Sequence, residues 1–363
     1  MGPDDHAEFG SDFHWPEVGR APRPSLNDYP WGSAAALFGS GRDAVRVLVA
    51  WGAMEHGWRR VWLPSYYCQE VPAALHELAA AGVELCAYPD APDGDEPRLD
   101  ELRLGRGDVV VVANQLGARR RPASLDAIAP EATIVEDHSH DLGSPWAVNS
   151  SAHYAIASLR KTLPLPDGGV AWSPRSLALP PEPPLTDVHA EAAFARLSAM
   201  VLKARYLAGD AVDKSAFREQ AASGAIHIAD GSPSGISPVS RAMLATFPVR
   251  SWRQARRRNY RALLRALGPI RRGHVIEPPP GAIAFALTLV LNTADEREDV
   301  RRALIEERVY PAVLWSLDEP EMAGIPAEHV DLASRVLSIH CDHRYTAADM
   351  IRVAEIAKPL LGT

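Results

Sequence analysis

Lysine is nearly absent from this 363-residue chain. It occurs only at Lys161, Lys203, Lys214 and Lys358, although lysine and arginine together number 38, so arginine carries the positive charge. Cysteine is as sparse. Cys68, Cys86 and Cys341 have no paired spacing and no C-x-x-C, which argues against a disulfide framework or a structural zinc site. No apolar run approaches the ~18 residues of a membrane helix, so no membrane span is expected. The acidic opening MGPDDHAEFGSDFHWPEVG lacks the apolar core of a secretory leader, and a cytoplasmic location is the default expectation. With 46 acidic residues against 38 basic ones, the net charge of −8 gives no general pull toward nucleic acid.

What remains is a composition of 47% hydrophobic and 23% charged residues, that of a soluble globular protein. The length suggests two domains, or a large one with a smaller companion, and is ample for a sizeable core. The densest basic run, Arg253–Arg261 (RQARRRNYR), reads first as the solvated face of a long helix and second as an anion site.

The first 32 residues, rich in proline, glycine and aromatics, read as an irregular arm. From Ser33 to about Trp51 apolar positions fall at helical spacing, with Ser40-Gly41 as the loop that opens the main helix. Short apolar runs then alternate with helical stretches. RVWL (Arg60–Leu63), GVELCAY (Gly82–Tyr88), DVVVVA (Asp108–Ala113) and ATIVE (Ala132–Glu136) read as strands, followed by Ala152–Ala157 and Gly169–Trp172. Gln69–Ala81 reads as a helix between the first two. This alternation predicts a mostly parallel sheet with helices on both faces. Beyond the proline-dense Pro174–Pro184, residues 186–223 read as helical and Gly231–Pro238 as a loop. Ser240–Leu267 reads as one long amphipathic helix, and an α+β tail follows. The tail has strands near Ala282–Leu291, at Val309–Leu314 and at Val336–His340, and helices near Ala294–Arg308 and at Ala347–Leu361.

Ligands of such sheets bind beyond the carboxyl ends of the strands, so the residues just after each apolar run carry the chemistry. Lys161 follows a strand and precedes the turn-rich Pro164–Gly169 (PLPDGG), a place where an amine can be held. A lysine amine is protonated at neutral pH, and desolvation or a neighbouring cation such as Arg160 is what frees it to attack a carbonyl. Asp137 ends the strand of Ile134 and Val135, where a carboxylate can pair with a protonated ring nitrogen or, equally, cap the next segment. Gly39-Ser40-Gly41-Arg42-Asp43 opens a helix whose free amides suit a phosphate, with Arg42 adding charge and Ser158 a hydroxyl. Tyr66 and Tyr67 follow the RVWL strand, where a ring could cover a flat ligand or simply pack.

Taken in order, SGRDAVRVL, LPSYYCQEV, VEDHSHDLGS and ASLRKTLPLPDGG resemble the DegT/DnrJ/EryC1/StrS family of sugar aminotransferases. Its members typically carry a small-residue helix start, a "VP" strand end, an "EDxAxxxG" motif and "SFHxxK" before a glycine pair. SPVSRAMLATFPVRSWRQARRRNYRALL, VYPAVLW and VLSIHCDHRY extend the likeness, so that it runs from about Ser33 to the C-terminus. The chain departs from the pattern where SLRK is shorter than SFHxxK, where Arg42 replaces a common threonine, and where Asn114-Gln115-Leu116-Gly117 replaces a histidine-containing strand end.

The resemblance implies an α/β protein of the fold type I of pyridoxal 5'-phosphate (PLP) transferases. A large domain over residues 33–240 would hold a mainly parallel sheet flanked by helices, and residues 241–363 would form the connecting helix and a small C-terminal α/β domain. It implies PLP as cofactor, a Schiff base on Lys161, Asp137 paired with the ring nitrogen, and His140 near the ring's 3-hydroxyl. Gly41, Arg42, Asp43 and Ser158 would hold the phosphate, and Tyr67 or Tyr66 would cover the ring. It further implies a homodimer with shared sites, in which the Gly231–Ser240 loop reaches the neighbour, and transamination between an amino donor and a small oxo acceptor. Other PLP chemistries, such as decarboxylation or elimination, stay open.

For the substrate, Arg344 could clamp a carboxylate, and Trp315, His340, His14 and Trp15 could line a pocket. Competing readings are a dinucleotide fingerprint at Gly39–Ala44 and a metal cluster in Asp137-His138-Ser139-His140-Asp141. A retired, non-catalytic site on the same fold is a further alternative.

Overall fold

The computed structural model describes residues 7–16, 28–32, 34–94, 96–128 and 130–362. Much of the expected N-terminal arm, and Ser33, lie outside them. Twelve strands are present among the described residues. In chain order they are β1 (Phe9–Gly10), β2 (Ala36–Phe38), β3 (Arg60–Pro64), β4 (Glu84–Tyr88), β5 (Asp108–Ala113) and β6 (Thr133–Asp137). They continue with β7 (Tyr154–Ser158), β8 (Gly169–Trp172), β9 (His274–Ile276), β10 (Ala286–Val290), β11 (Val309–Tyr310) and β12 (Val336–His340).

β2 to β8 form one seven-stranded sheet in the order β2-β8-β7-β6-β5-β3-β4. β4, β3, β5, β6 and β7 run parallel, whereas β8 returns antiparallel to β7 and pairs antiparallel with β2. All six residues of β5 are buried, which is why its sequence is a run of valines rather than an alternation. The two faces feed separate cores. Val109, Val111 and Val135 pack with α1 (Gly41–Glu55) on one side, and Val110, Val112 and Ile134 pack with Tyr88 and Leu125 on the other. A second sheet, β12-β10-β9, is wholly antiparallel and packs its apolar residues against the helices Val249–Leu267 and Ala347–Leu361.

Three expectations are corrected. Ala34 to Phe38 is not the start of a helix: Ala36–Phe38 is a strand, and α1 begins only at Gly41, where Ser40 caps it by accepting from the Asp43 amide. The long helix over Ser240–Leu267 is two helices, Pro238–Leu244 and Val249–Leu267, because Pro248 has no amide with which to continue the first. The strand expected over Val309–Leu314 is confined to Val309–Tyr310, which pairs in parallel with β1. β9 and the helix Ala327–Arg335 were not anticipated, and the helical region after residue 186 divides into Asp187–Leu207 and Lys214–Asp230.

Candidate active site

The parallel strands end in register, with Ala113 beside Asp137 and Asp137 beside Ile156. The segments that leave them therefore emerge at one edge: Asn114 and Gln115 after β5, His138–His140 after β6, and Leu159–Lys161 after β7. The antiparallel return of β8 brings α1 to the same edge. Gly169 passes so close to the loop that a β-carbon there would stand 2.0 Å from the Ser40 carbonyl oxygen. A β-carbon on Gly41 would stand 2.7 Å from that of Ser158. These glycines are what allow the start of α1, with its unpaired first amides, to sit against the turn that carries the lysine.

A cavity of about 310 Å³ opens between these elements. Gly41, Arg42, Tyr67, Asp137, His140, Ser158 and Lys161, seven of the positions singled out in the sequence, line it, and Trp315 closes another side. The Lys161 amine makes no hydrogen bond or ion pair with any described residue. Burial, and then the adjacent Arg160, push it below the usual lysine range, against a smaller opposite pull from Cys68 and Glu70. Asp137 is fixed at both oxygens: Oδ1 accepts from the Ser139 amide at 2.8 Å and Oδ2 from the Tyr67 hydroxyl at 2.5 Å. His140 accepts from the Leu116 amide at Nδ1, which leaves the proton on Nε2. Its ring stacks on Trp315 with centroids 5.4 Å apart, and burial, then Lys161 and Arg256, lower its pKa to about 3. It is a neutral donor at any physiological pH.

Of the two tyrosines, Tyr67 lines the cavity and bonds Asp137 through its hydroxyl, while Tyr66 is buried against Trp315 outside it. Other sequence candidates fall differently. Arg42 is held between Glu70 and the Ile228 carbonyl, so much of its charge is spent within the protein. The Asp43 side chain is buried at the first turn of α1 and does not line the cavity. Arg344 is no free clamp: Nε and Nη2 fork onto Asp342 at 2.8 Å each, and Nη1 donates to the carbonyls of Ser11 and Asp12. It latches the N-terminal segment. His340 lines a neighbouring cleft, and His14 and Trp15 line neither.

The Asp137–Asp141 cluster does not converge on a point. His138 lies between Glu136 and Asp141, whereas Asp137 faces Tyr67 and Ser139. Among the described residues no three His, Cys, Asp or Glu side chains take a metal-binding arrangement. The strand ahead of Gly39–Ala44 is antiparallel, unlike the parallel strand a dinucleotide fingerprint follows. Within the chain, the end of the Gly231–Ser240 segment is held by the buried Asp167, which accepts from the Ser237 amide and hydroxyl and from the Ser240 hydroxyl.

Sequence reasoning passed over Ser139. Its amide orients Asp137 and its hydroxyl accepts from the Ser158 amide at 2.8 Å, joining the two strand ends. Its place between Asp137 and His140 was the available signal.

No family model matches the chain, and no curated protein matches it. Solved structures do. PseC of Helicobacter pylori, an aminotransferase involved in the biosynthesis of pseudoaminic acid, superposes over 98% of this chain and 100% of its own, with a TM-score of 0.64 and 13% identity. DesI, solved in the presence of its TDP-sugar product, matches 90% of this chain and 80% of its own at a TM-score of 0.61 and 18% identity. The PLP form of Spr1654 from Streptococcus pneumoniae matches 98% and 99%, at 0.62 and 11%. The chain has fold type I of the PLP-dependent transferases.

Chemically, the helix amides and the Ser158 hydroxyl can bind an anion, the carboxylate can accept from an N–H, and a buried amine whose hold on its proton is weakened can attack a carbonyl.

Proposed function

We propose that the chain is a PLP-dependent aminotransferase that moves an amino group from a donor to a small oxo acceptor, an oxo-sugar or a related biosynthetic intermediate. One observation carries the reading: the unpartnered Lys161 amine and the doubly fixed Asp137 carboxylate open on one cavity, at which α1 also begins. The aminotransferases among the similar structures support it.

In this reading the Gly41 and Arg42 amides and Ser158 hold the phosphate, Asp137 holds the ring nitrogen in its protonated form, and His140 donates through Nε2 toward the ring. PLP, when bound, acts as an electron sink for a carbanion at the carbon next to the substrate's nitrogen. Lys161 is the amine that would bond the cofactor's aldehyde, and its freed Nζ would take and return the proton at the substrate's Cα. Trp315 and His140 shield that proton from bulk water. Hydrolytic release of the donor's oxo product, with its amino group left on the cofactor, followed by the reverse sequence on the acceptor, would give ping-pong kinetics.

The domain division, at about residue 240, belongs to the same reading. So does a homodimer, supported by exposed apolar side chains such as Phe194 and Ile226 on the helices Asp187–Leu207 and Lys214–Asp230. No described helix is long and apolar enough to cross a membrane, and the reading takes the enzyme to be cytoplasmic.

The test is reconstitution with PLP. A visible absorption band is expected that disappears on borohydride reduction and never forms in Lys161→Ala. A screen of amino donors should bleach it. A band that persists against every donor rejects the aminotransferase assignment, and a wild-type protein that forms no band rejects the cofactor.

A further inference from the structure

A second cleft, of about 680 Å³, adjoins the first and shares Arg160, Lys161 and Leu314 with it. Three cations that line it, Arg160, Arg196 and Lys203, have no carboxylate within ion-pair distance among the described residues. Arg196 and Lys203, both on the helix Asp187–Leu207, donate to main-chain carbonyls, whereas Arg160 makes no hydrogen bond with any described residue.

The N-terminal segment crosses this cleft, which Ser11, Asp12 and Phe13 line, and it is fastened on both sides. On one side β1 pairs with β11, and the Gly10 amide donates to the Tyr345 hydroxyl. On the other the Trp15 amide donates to the Met200 carbonyl. A single atom is gripped from both. The Asp12 carbonyl oxygen accepts from Lys203 Nζ at 2.6 Å and from Arg344 Nη1 at 3.0 Å.

The Asp12 carboxylate, by contrast, makes no hydrogen bond or ion pair with any described residue, although it shares the cleft with those cations. Desolvation would raise its pKa, but Arg196, then Arg160, Lys203 and Arg344, outweigh that and hold the carboxyl below its usual range. The segment thus brings one negative charge to a space where three unpaired cations face it.

We propose that Asp12 is a stand-in anion, and that residues 9–15 form a strap which a ligand carrying a phosphate-like dianion displaces from the cleft. An oxyanion makes stronger, charge-assisted bonds with Lys203 and Arg160 than a peptide carbonyl does. Lys203 drawn to the ligand lets go of the Asp12 carbonyl, and repulsion between the ligand and the Asp12 carboxylate drives the strap away. Binding and strap release are then coupled, and each shifts the other by the same factor. The inference stands on the cleft and the strap and goes beyond the aminotransferase reading without resting on it.

The experiment takes the cofactor-free wild type, Asp12→Asn, Asp12→Ser and Arg160→Gln, and titrates each with inorganic phosphate at pH 8, with sodium chloride of equal ionic strength as control. Calorimetry gives the affinity, and hydrogen exchange at the Ser11 and Trp15 amides follows the strap. In wild type, phosphate and not chloride should speed exchange at both amides. Asp12→Asn should bind phosphate about 10-fold more tightly, the scale of one like charge removed from a partly wet site, and should show a smaller rise in exchange. Asp12→Ser should do the same, and decides the matter if the asparagine protein does not fold. Arg160→Gln should bind at least about 10-fold more weakly.

Phosphate that binds wild type while both amides stay protected overturns the strap. Equal affinity in wild type and the Asp12 variants overturns the stand-in role, and unchanged affinity in Arg160→Gln places the anion elsewhere and overturns the cleft as its site. A wild type that binds no phosphate overturns the proposal outright. None of these outcomes touches the visible band with PLP, by which the aminotransferase reading stands or falls separately.

Discussion

The hydroxyl of Tyr67 donates to Asp137 Oδ2 at 2.5 Å, from a ring that is almost wholly buried. The bond ties the strand end of β3 to that of β6, across β5. Burial and then the carboxylate drive the phenol far above its ordinary range, so it is always a donor.

Tyr67→Phe should therefore cost about 1–3 kcal/mol of stability, the worth of a hydrogen bond to a buried charge. The cofactor's ring N–H would give Asp137 a replacement donor. The rise in melting temperature on adding PLP should then be larger in the variant than in wild type. Equal rises would show that the cofactor does not reach Asp137.

Arg160→Gln removes the cation that, after burial, most depresses the Lys161 amine. Without it the amine holds its proton to higher pH. The pH dependence of PLP uptake by the cofactor-free protein should move in the alkaline direction, by up to about one unit. Stopped-flow absorbance across pH 6–10 measures it, and an unmoved profile would assign the depression to burial alone.

His138 shows how the strand end itself is held. Burial alone would lower its pKa, but Asp141 and then Glu136 outweigh it and raise the value to about 10. A folded value above the unfolded one, ~6.5 for histidine, means stabilisation that is complete below that pH and lost as pH climbs toward 10. His138→Gln leaves two carboxylates buried with less compensation and should cost about 3–5 kcal/mol at pH 6. The gap in denaturant midpoint between wild type and variant should narrow steadily from pH 6.5 to 10.

Arg344→Gln should release the N-terminal segment. The residue neutralises Asp342 and holds the carbonyls of Ser11 and Asp12, and the ring of Phe13 lies 4.4 Å from its guanidinium carbon. Hydrogen exchange at the Phe9 and Ser11 amides, which donate to Arg308 and Tyr310, should rise toward that of an unstructured chain. Unchanged exchange would assign the segment's order to the β1–β11 pairing.

Lys161 and Asp137 could be read from the chain because Asp137 ends one buried strand and Lys161 closes the short turn after another, and a buried strand leaves a run of apolar residues that marks its own end. Arg256 could not. Arg253, Arg256, Arg257 and Arg258 are alike in sequence, and only packing sends Arg256 inward beneath Phe285 while Arg258 stays exposed. Ala36–Phe38 hid for a related reason: three residues are too few to show alternation, and the pairing partner lies over a hundred residues away. The split of the long helix at Pro248 was legible and was passed over. Tyr67 had the right place, but its bond to Asp137 could not be foreseen, since a hydroxyl's partner depends on distance that no pattern encodes.

The return of β8 has a consequence for how the chain can vary. Between the turn that bears Lys161 and the glycine lodged against Ser40 there are only a few residues. Asp167 stitches their far end to the segment at Ser237–Ser240. An added residue in that span would have nowhere to bulge without prying the edge of the sheet off the first helix. This short link should accordingly tolerate exchanges of side chain far better than changes of length.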